Sequence, residues 1–219
     1  WYSVFHSISA FCNAGFDLMG IQGEYSSLTS VVGNWYVNLI IMLLIVIGGL
    51  GFFVWRNLLD SKFQYKKMLL HTRIVMFVTA FLILGGALLL FLTEHGGDAY
   101  HDKSLSEPIA ASFFQSVSAR TAGFNTVELA RMTEAGRFIL ICLMMIGGSA
   151  GSTAGGIKTT TFAVLMLSII TTFRHRKSVE AFGRRMEDGI ARTASCVFMM
   201  YLLLSCGGAV LISRIEGSA

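Results

Sequence analysis

Two short stretches carry residues of the right type and spacing to handle a dehydrated cation. Residues 6–16 read HSISAFCNAGF and residues 115–124 read QSVSARTAGF; they match through S-[IV]-S-A and A-G-F, with one residue inserted in the first copy. The segments around them, 2–12 and 108–119, would form helices of roughly 17 Å, against roughly 30 Å of bilayer hydrocarbon. A short helix between two spans, followed at once by a glycine-containing loop, is the plan of a re-entrant pore helix. Its partly negative C-terminal end faces the cation, and the loop offers backbone carbonyls in place of water. Gly15 and Gly123 suit that task, because carbonyls turned toward one axis need backbone angles that other residues resist. A-G-F after a helix is also an ordinary C-cap turn. Its recurrence at the same topological place favours the pore-loop reading. Pro108, after Ser106 and Glu107, marks a helix start with acids near the positive end.

Such segments need membrane-spanning elements to hold them. Of the 219 residues, 54% are hydrophobic and 14% charged, and mean hydropathy is +0.65. A soluble domain is about a quarter charged, so this chain cannot cover a water-facing surface. Long apolar runs at 35–55, 74–93, 138–173 and 194–213 indicate an all-α polytopic membrane protein. The third run would make a helix of about 54 Å, too long for one span. Residues 147–156, GGSAGSTAGG, are where it breaks, since each Gly costs a helix about 1 kcal/mol relative to Ala. Cys12, Cys142, Cys196 and Cys206 lack metal-type spacing and read as small apolar residues rather than a disulfide framework.

Charge sets the orientation. Arg56, Lys62, Lys66, Lys67 and Arg73 stand against Asp60 in one linker; Arg174, Arg176, Lys177, Arg184, Arg185 and Arg192 crowd another. Both linkers are expected on the cytoplasmic side. The loop carrying Glu94, Asp98, Asp102 and Glu107 against Lys103 is expected outside, where it raises local cation concentration modestly.

The similarity extends beyond the loops. LIIMLLIVIGG at 39–49 resembles FILICLMMIGG at 138–148, and LGGALLLFL at 84–92 pairs with CGGAVLIS at 206–213. The repeat is a helix, an outer loop, a short segment ending in A-G-F, and a returning helix, arranged about an axis along the membrane normal. Beginning and ending in mid-unit, the chain is expected to be part of something longer.

SISAFCNAGF, SARTAGFNT and above all IGGSAGSTAGGIKT closely resemble the Trk/Ktr/HKT superfamily of K⁺ transport subunits, most like its bacterial KtrB/TrkH branch, over the whole chain. The resemblance implies repeated helix–pore-helix–helix units around one pore, four in all, with one filter glycine each. Residues 1–59 then hold the pore helix, filter loop and inner helix of the second repeat, and 60–73 a cytoplasmic linker. Residues 74–173 form the complete third repeat, with an intramembrane gate loop at 147–156; 174–192 form a second linker and 193–219 the first helix of the fourth repeat. The implied filter comprises Asn13, Ala14, Gly15 and Phe16 with Thr121, Ala122, Gly123 and Phe124, binding K⁺ at the Gly15 and Gly123 levels. Gly147, Gly148, Ser149, Gly151, Ser152, Thr153, Gly155, Gly156 and Lys158 fall in the implied gate, below a water-filled cavity, and Arg120 and Asn125 support the filter. K⁺ is the transported ion, with no organic cofactor in this chain. Also implied are a homodimer in a bacterial inner (plasma) membrane, multi-pass in the lipid bilayer, and a cytoplasmic nucleotide-binding regulatory ring of KtrA/TrkA type. The basic linkers are its candidate docking surfaces, and no nucleic-acid partner is expected. The first and fourth filter glycines and the basic residue of the last helix are not in this sequence.

Other constellations are weaker. Residues 151–159 approach a phosphate-binding loop, but Ile157 separates Gly156 from Lys158 and no strand precedes it. Lys158 either snorkels to the interface or sits by the loop and disfavours cations when it is closed. Arg120, beside a cation path, is expected to turn away and donate to pore-helix carbonyls or an acid. Glu94, His95, Asp98, His101 and Asp102 could mark a metal site, but two neighbouring glycines make a solvated turret the favoured reading. His6 is expected to pack against or cap its own helix. An intramembrane enzyme would need acids, bases or nucleophiles within the spans, and the apolar runs hold no Asp, Glu or His. A Na⁺-permeable relative and a non-conducting membrane scaffold remain the alternatives.

Overall fold

The computed structural model describes residues 1–216 except 22, 24–25, 101–105, 176–177 and 188. His101, Asp102, Lys103, Arg176 and Lys177, which figure in the sequence reading, lie outside the described residues. The chain forms two units, Trp1–Thr159 and Thr160–Ala219.

The first unit runs α1 (Tyr2–Phe11), α2 (Trp35–Leu50), α3 (Phe52–Asp60), α4 (Leu70–Glu94), α5 (Ser106–Ser118) and α6 (Glu134–Met145). Helices α1 and α5 are short and end at the two A-G-F segments. Helix α4, 25 residues and apolar, is long enough to cross a membrane by itself. In its seam against α5, Ser116 Oγ donates to the Ile83 carbonyl at 2.8 Å and the Leu82 carbonyl at 3.3 Å. A small hydroxyl of this kind lets two apolar helices approach closely where no water competes. Around the A-G-F segments a core forms from Ala10, Leu28, Ile41, Ile45, Phe114, Val117, Ala122 and Phe124, so both short helices are fixed by one cluster.

Three sequence expectations are corrected here. Residues 35–55 are not one continuous helix: α2 and α3 meet at 90°. Gly51 makes the corner, with φ 83 and ψ 156, a conformation closed to residues bearing a Cβ. With 16 residues, α2 is about 24 Å long, shorter than the hydrocarbon core. Second, Glu94 is not part of a solvated turret. It is the last residue of α4, fully buried at 0% exposure, where its carboxylate accepts the Thr133 hydroxyl at 2.6 Å and the Thr133 N–H at 3.1 Å. Thr133 in turn caps α6 by accepting the Gly136 N–H at 3.0 Å, so the buried acid sits at the positive end of a helix. Third, Arg120 finds neither a pore-helix carbonyl nor an acid; its partner is described below.

The second unit holds α7 (Thr159–Phe173, beginning one residue earlier), β1 (Glu180–Ala181), β2 (Arg184–Arg185) and α8 (Ile190–Glu216). The strands form an antiparallel hairpin whose central residues, Phe182 and Gly183, have φ 50 and 74, as a tight type I′ turn requires. Helix α8 spans 27 residues and is long and apolar enough to cross a membrane. Its apolar side chains, Leu203, Leu204, Val210 and Leu211 among them, are exposed, so this helix needs lipid or other helices around it.

Candidate functional site

The two A-G-F segments fold alike. In the first, Asn13 and Gly15 have φ 51 and 72; in the second, Thr121 and Gly123 have φ 73 and 90. These are the aligned pairs of the repeat. For Asn13 the left-handed region is tolerable, but for β-branched Thr121 it is a genuine outlier. A matching hydrogen bond closes each turn: Ser9 Oγ donates to the Phe16 carbonyl at 2.7 Å, and Ser118 Oγ donates to the Phe124 carbonyl. The second serine of S-[IV]-S-A therefore clasps the far end of its own loop.

These segments, far apart in sequence, meet through their backbones. A Cβ on Gly15 would collide with the Ala122 carbonyl oxygen and the Gly123 Cα, and one on Gly123 would lie 3.2 Å from the Gly15 Cα. The phenylalanines differ: Phe124 is buried, whereas Phe16 is 71% exposed. Asn125 ties the second segment to residues 27 and 28, its carbonyl accepting the Leu28 N–H at 2.9 Å and its N–H donating to Ser27 Oγ at 3.1 Å. His6 packs within its own helix, with Nδ1 on the Tyr2 carbonyl at 2.8 Å and its ring 6.4 Å from that of Phe124.

The glycine-rich run leaves helix between Met145 and Thr159 and closes on itself. Ile146 and Ile157 bridge in parallel, with the Gly147 N–H donating to the Ile157 carbonyl and the Ile157 N–H to the Met145 carbonyl, each at 3.0 Å. Lys158 turns back onto the loop, its ammonium on the Ala154 carbonyl at 2.7 Å. The loop is also stitched to the α2–α3 corner. Ser149 N–H donates to the Gly49 carbonyl at 2.9 Å, and Phe52 N–H donates to the Gly151 carbonyl at 3.1 Å. The bend at Gly51 thus brings the last carbonyls of α2 and the first N–H of α3 to one loop, satisfying helix-end groups that would otherwise lack partners.

Contacts between this loop and the A-G-F segments escaped the sequence reading. Asn13 Nδ2 donates to Thr153 Oγ1 at 2.8 Å, and Thr153 Oγ1 donates to the Phe11 carbonyl at 3.0 Å. On the other segment, Thr121 Oγ1 accepts the Gly155 N–H at 3.2 Å. Arg120 is buried, and its Nη2 donates to the Gly147 carbonyl at 3.1 Å. The segments and the loop are thus in direct hydrogen-bonded contact. Asn13, Arg120, Gly49 and Gly148 help to line a void of about 10 Å³, room for a single water.

The model of the family described as cation transport protein, TrkH, matches residues 1–216. The chain belongs to the TrkH cation transport family. Among its relatives, the potassium/sodium uptake protein NtpJ of Enterococcus hirae is 40% identical over 99% of this chain and 47% of its own. The Ktr system potassium uptake protein B of Vibrio alginolyticus is 40% identical over 85% of this chain and 40% of its own. The crystal structure of the potassium transporter TrkH from Vibrio parahaemolyticus superposes with a TM-score of 0.71 at 23% identity, covering 92% of this chain and 43% of that one. The chain therefore spans about half the length of the curated relatives it matches. Its fold is the helical membrane fold of these transporters, and it is a transporter-family chain rather than an enzyme.

Proposed function

We propose that the protein to which this chain belongs moves K⁺ across the plasma membrane, and that residues 13–16 and 121–124 are two of the segments whose carbonyls select it. The observation that carries this reading is the pair Gly15 and Gly123, equally placed in two repeats, in the same left-handed conformation and in backbone contact. Carbonyls of such segments replace the hydration shell of the ion, and Arg120 and Asn125 hold the segments from behind. The chain supplies the second repeat from its pore helix, the whole third repeat and the first helix of a fourth. The glycine-rich loop gates ions on the inner side of the filter. Irregular backbone at that depth is tolerable only where protein buries it or a water path lines it. Lys158 places its charge on that loop and discourages cations while the loop is closed.

The Ktr-system names of several relatives support work with further subunits; we propose a homodimer with a cytoplasmic nucleotide-binding regulatory ring, docked on the two basic linkers. The test is Rb⁺ uptake by the full-length protein, with its partner, in cells lacking their own K⁺ uptake, with Na⁺ as competitor. Gly123→Ser is expected to weaken preference for K⁺ over Na⁺. Unchanged ion competition in that variant removes the filter assignment.

A second reading, transport of Na⁺ as well, draws on the potassium/sodium name of the Enterococcus relative. Uptake of ²²Na⁺ by the wild-type protein at low K⁺ separates the two.

A further inference from the structure

Two non-glycine residues of the candidate filter, Asn13 and Thr121, lie in the left-handed region at φ 51 and 73. Such conformations cost free energy and persist only where the surroundings over-determine them. For both residues the surroundings include the glycine-rich loop. Asn13 Nδ2 reaches Thr153 Oγ1 at 2.8 Å, and Thr121 Oγ1 takes the Gly155 N–H at 3.2 Å. Thr153 does more than touch Asn13: its own proton goes to the Phe11 carbonyl at 3.0 Å, at the end of α1. One hydroxyl thereby spans the last turn of the first short helix and the strained residue that follows it.

We propose that the glycine-rich loop is a supporting wall of the filter as well as a barrier, with Thr153 as the positioning residue that sets ion discrimination. This deepens the transport reading above and rests on it. In the resting arrangement, Thr153 and Gly155 hold Asn13 and Thr121 in their left-handed conformations and keep the neighbouring carbonyls of Ala14 and Ala122 in place. When the loop moves to admit ions, both contacts break together, because residues 153 and 155 belong to one closed loop. Discrimination between K⁺ and Na⁺ therefore varies with loop position. A barrier independent of the filter would scale the flux of all ions alike.

The experiment uses the full-length protein reconstituted in liposomes, at matched protein content, with Rb⁺ and Na⁺ fluxes measured separately. Thr153→Val keeps shape and removes the hydroxyl; Thr153→Ser restores it. Loss of the two hydrogen bonds is expected to lower the Rb⁺/Na⁺ flux ratio by about tenfold in Thr153→Val, with Thr153→Ser near wild type. Thr121→Val, which loses the acceptor for Gly155, is expected to shift the ratio the same way, and Thr121→Ser to restore it. This pair serves as the test should Thr153→Val fail to insert. Equal changes in both fluxes, with the ratio unmoved in the Val variants, would overturn the proposal while leaving the transport reading intact. A wild-type protein with its regulatory partner that moved neither ion would overturn the transport reading, and this inference with it.

Discussion

Arg120 donates its Nη2–H to the carbonyl oxygen of Gly147 at 3.1 Å, joining the residue ahead of strained Thr121 to the first residue of the glycine-rich run. The guanidinium lies between elements that sequence places 27 residues apart. Its charge is directed to a backbone carbonyl. A hydrogen bond from a charged donor contributes about 1.5–3 kcal/mol, enough to decide which of two loop positions is populated.

Arg120→Gln should therefore loosen the mouth of the loop. A loss of about 1.5–3 kcal/mol corresponds to roughly a 10- to 150-fold shift in the loop equilibrium. Rb⁺ leak through the full-length protein without its regulatory partner is expected to rise. An unchanged leak at equal membrane content would show that the loop is held elsewhere.

The two aligned glycines should differ in tolerance. Alanine at either position meets the left-handed penalty of about 1–2 kcal/mol. Gly15→Ala also drives its methyl into the Ala122 carbonyl, whereas at Gly123 the nearest atom is the Gly15 Cα at 3.2 Å. Gly15→Ala is expected to abolish Rb⁺ uptake, and Gly123→Ala to leave a reduced, less selective uptake. The reverse order would contradict the contact geometry.

Glu94 and Thr133 should behave as one unit. Burying the acid is tolerable because it accepts three donor contacts, at 2.6, 3.1 and 3.3 Å, all from Thr133. Removing either partner leaves a buried polar group unsatisfied, at a cost of about 1–3 kcal/mol. Glu94→Ala and Thr133→Val should each lower the thermal unfolding temperature in detergent, and the double variant should lose clearly less than the sum. Additive losses would mean that the two residues act independently.

The corner between α2 and α3 should not accept a side chain. A Cβ at Gly51 would stand 2.8 Å from the Ala150 carbonyl oxygen and 3.0 Å from the Ser152 nitrogen. Gly51→Ala is expected to insert into the membrane, since α4 and α8 are untouched, but to lose regulated transport as the loop is pushed from its stitches. Wild-type flux and regulation would show that the corner can straighten without consequence.

Some of this was open to reading along the chain. Length and apolarity mark α4 and α8, because crossing a bilayer demands about 20 apolar residues in a row. Five glycines among residues 147–156 coincide with the interval between α6 and α7 where helix is lost. S-[IV]-S-A and A-G-F mark the two turns, because each turn needs a nearby glycine and a nearby serine, and local needs leave local signatures. The Gly51 corner left a weaker trace. In Gly48-Gly49-Leu50-Gly51 the third glycine looks like the other two, and only its packing against the loop shows which one bends.

What the sequence by itself determined is the class of the chain, its repeat and the positions of its turns, since hydropathy, spacing and backbone freedom belong to neighbouring residues. Only the tertiary structure decided that Glu94 is buried rather than solvated, that Arg120 serves the Gly147 carbonyl, and that Thr153 holds Asn13. Each of these joins groups 27 to 140 residues apart. A carboxylate, a guanidinium or a hydroxyl has the same chemistry whichever partner it finds. That partner is chosen by the packing of distant helices, which no local pattern records.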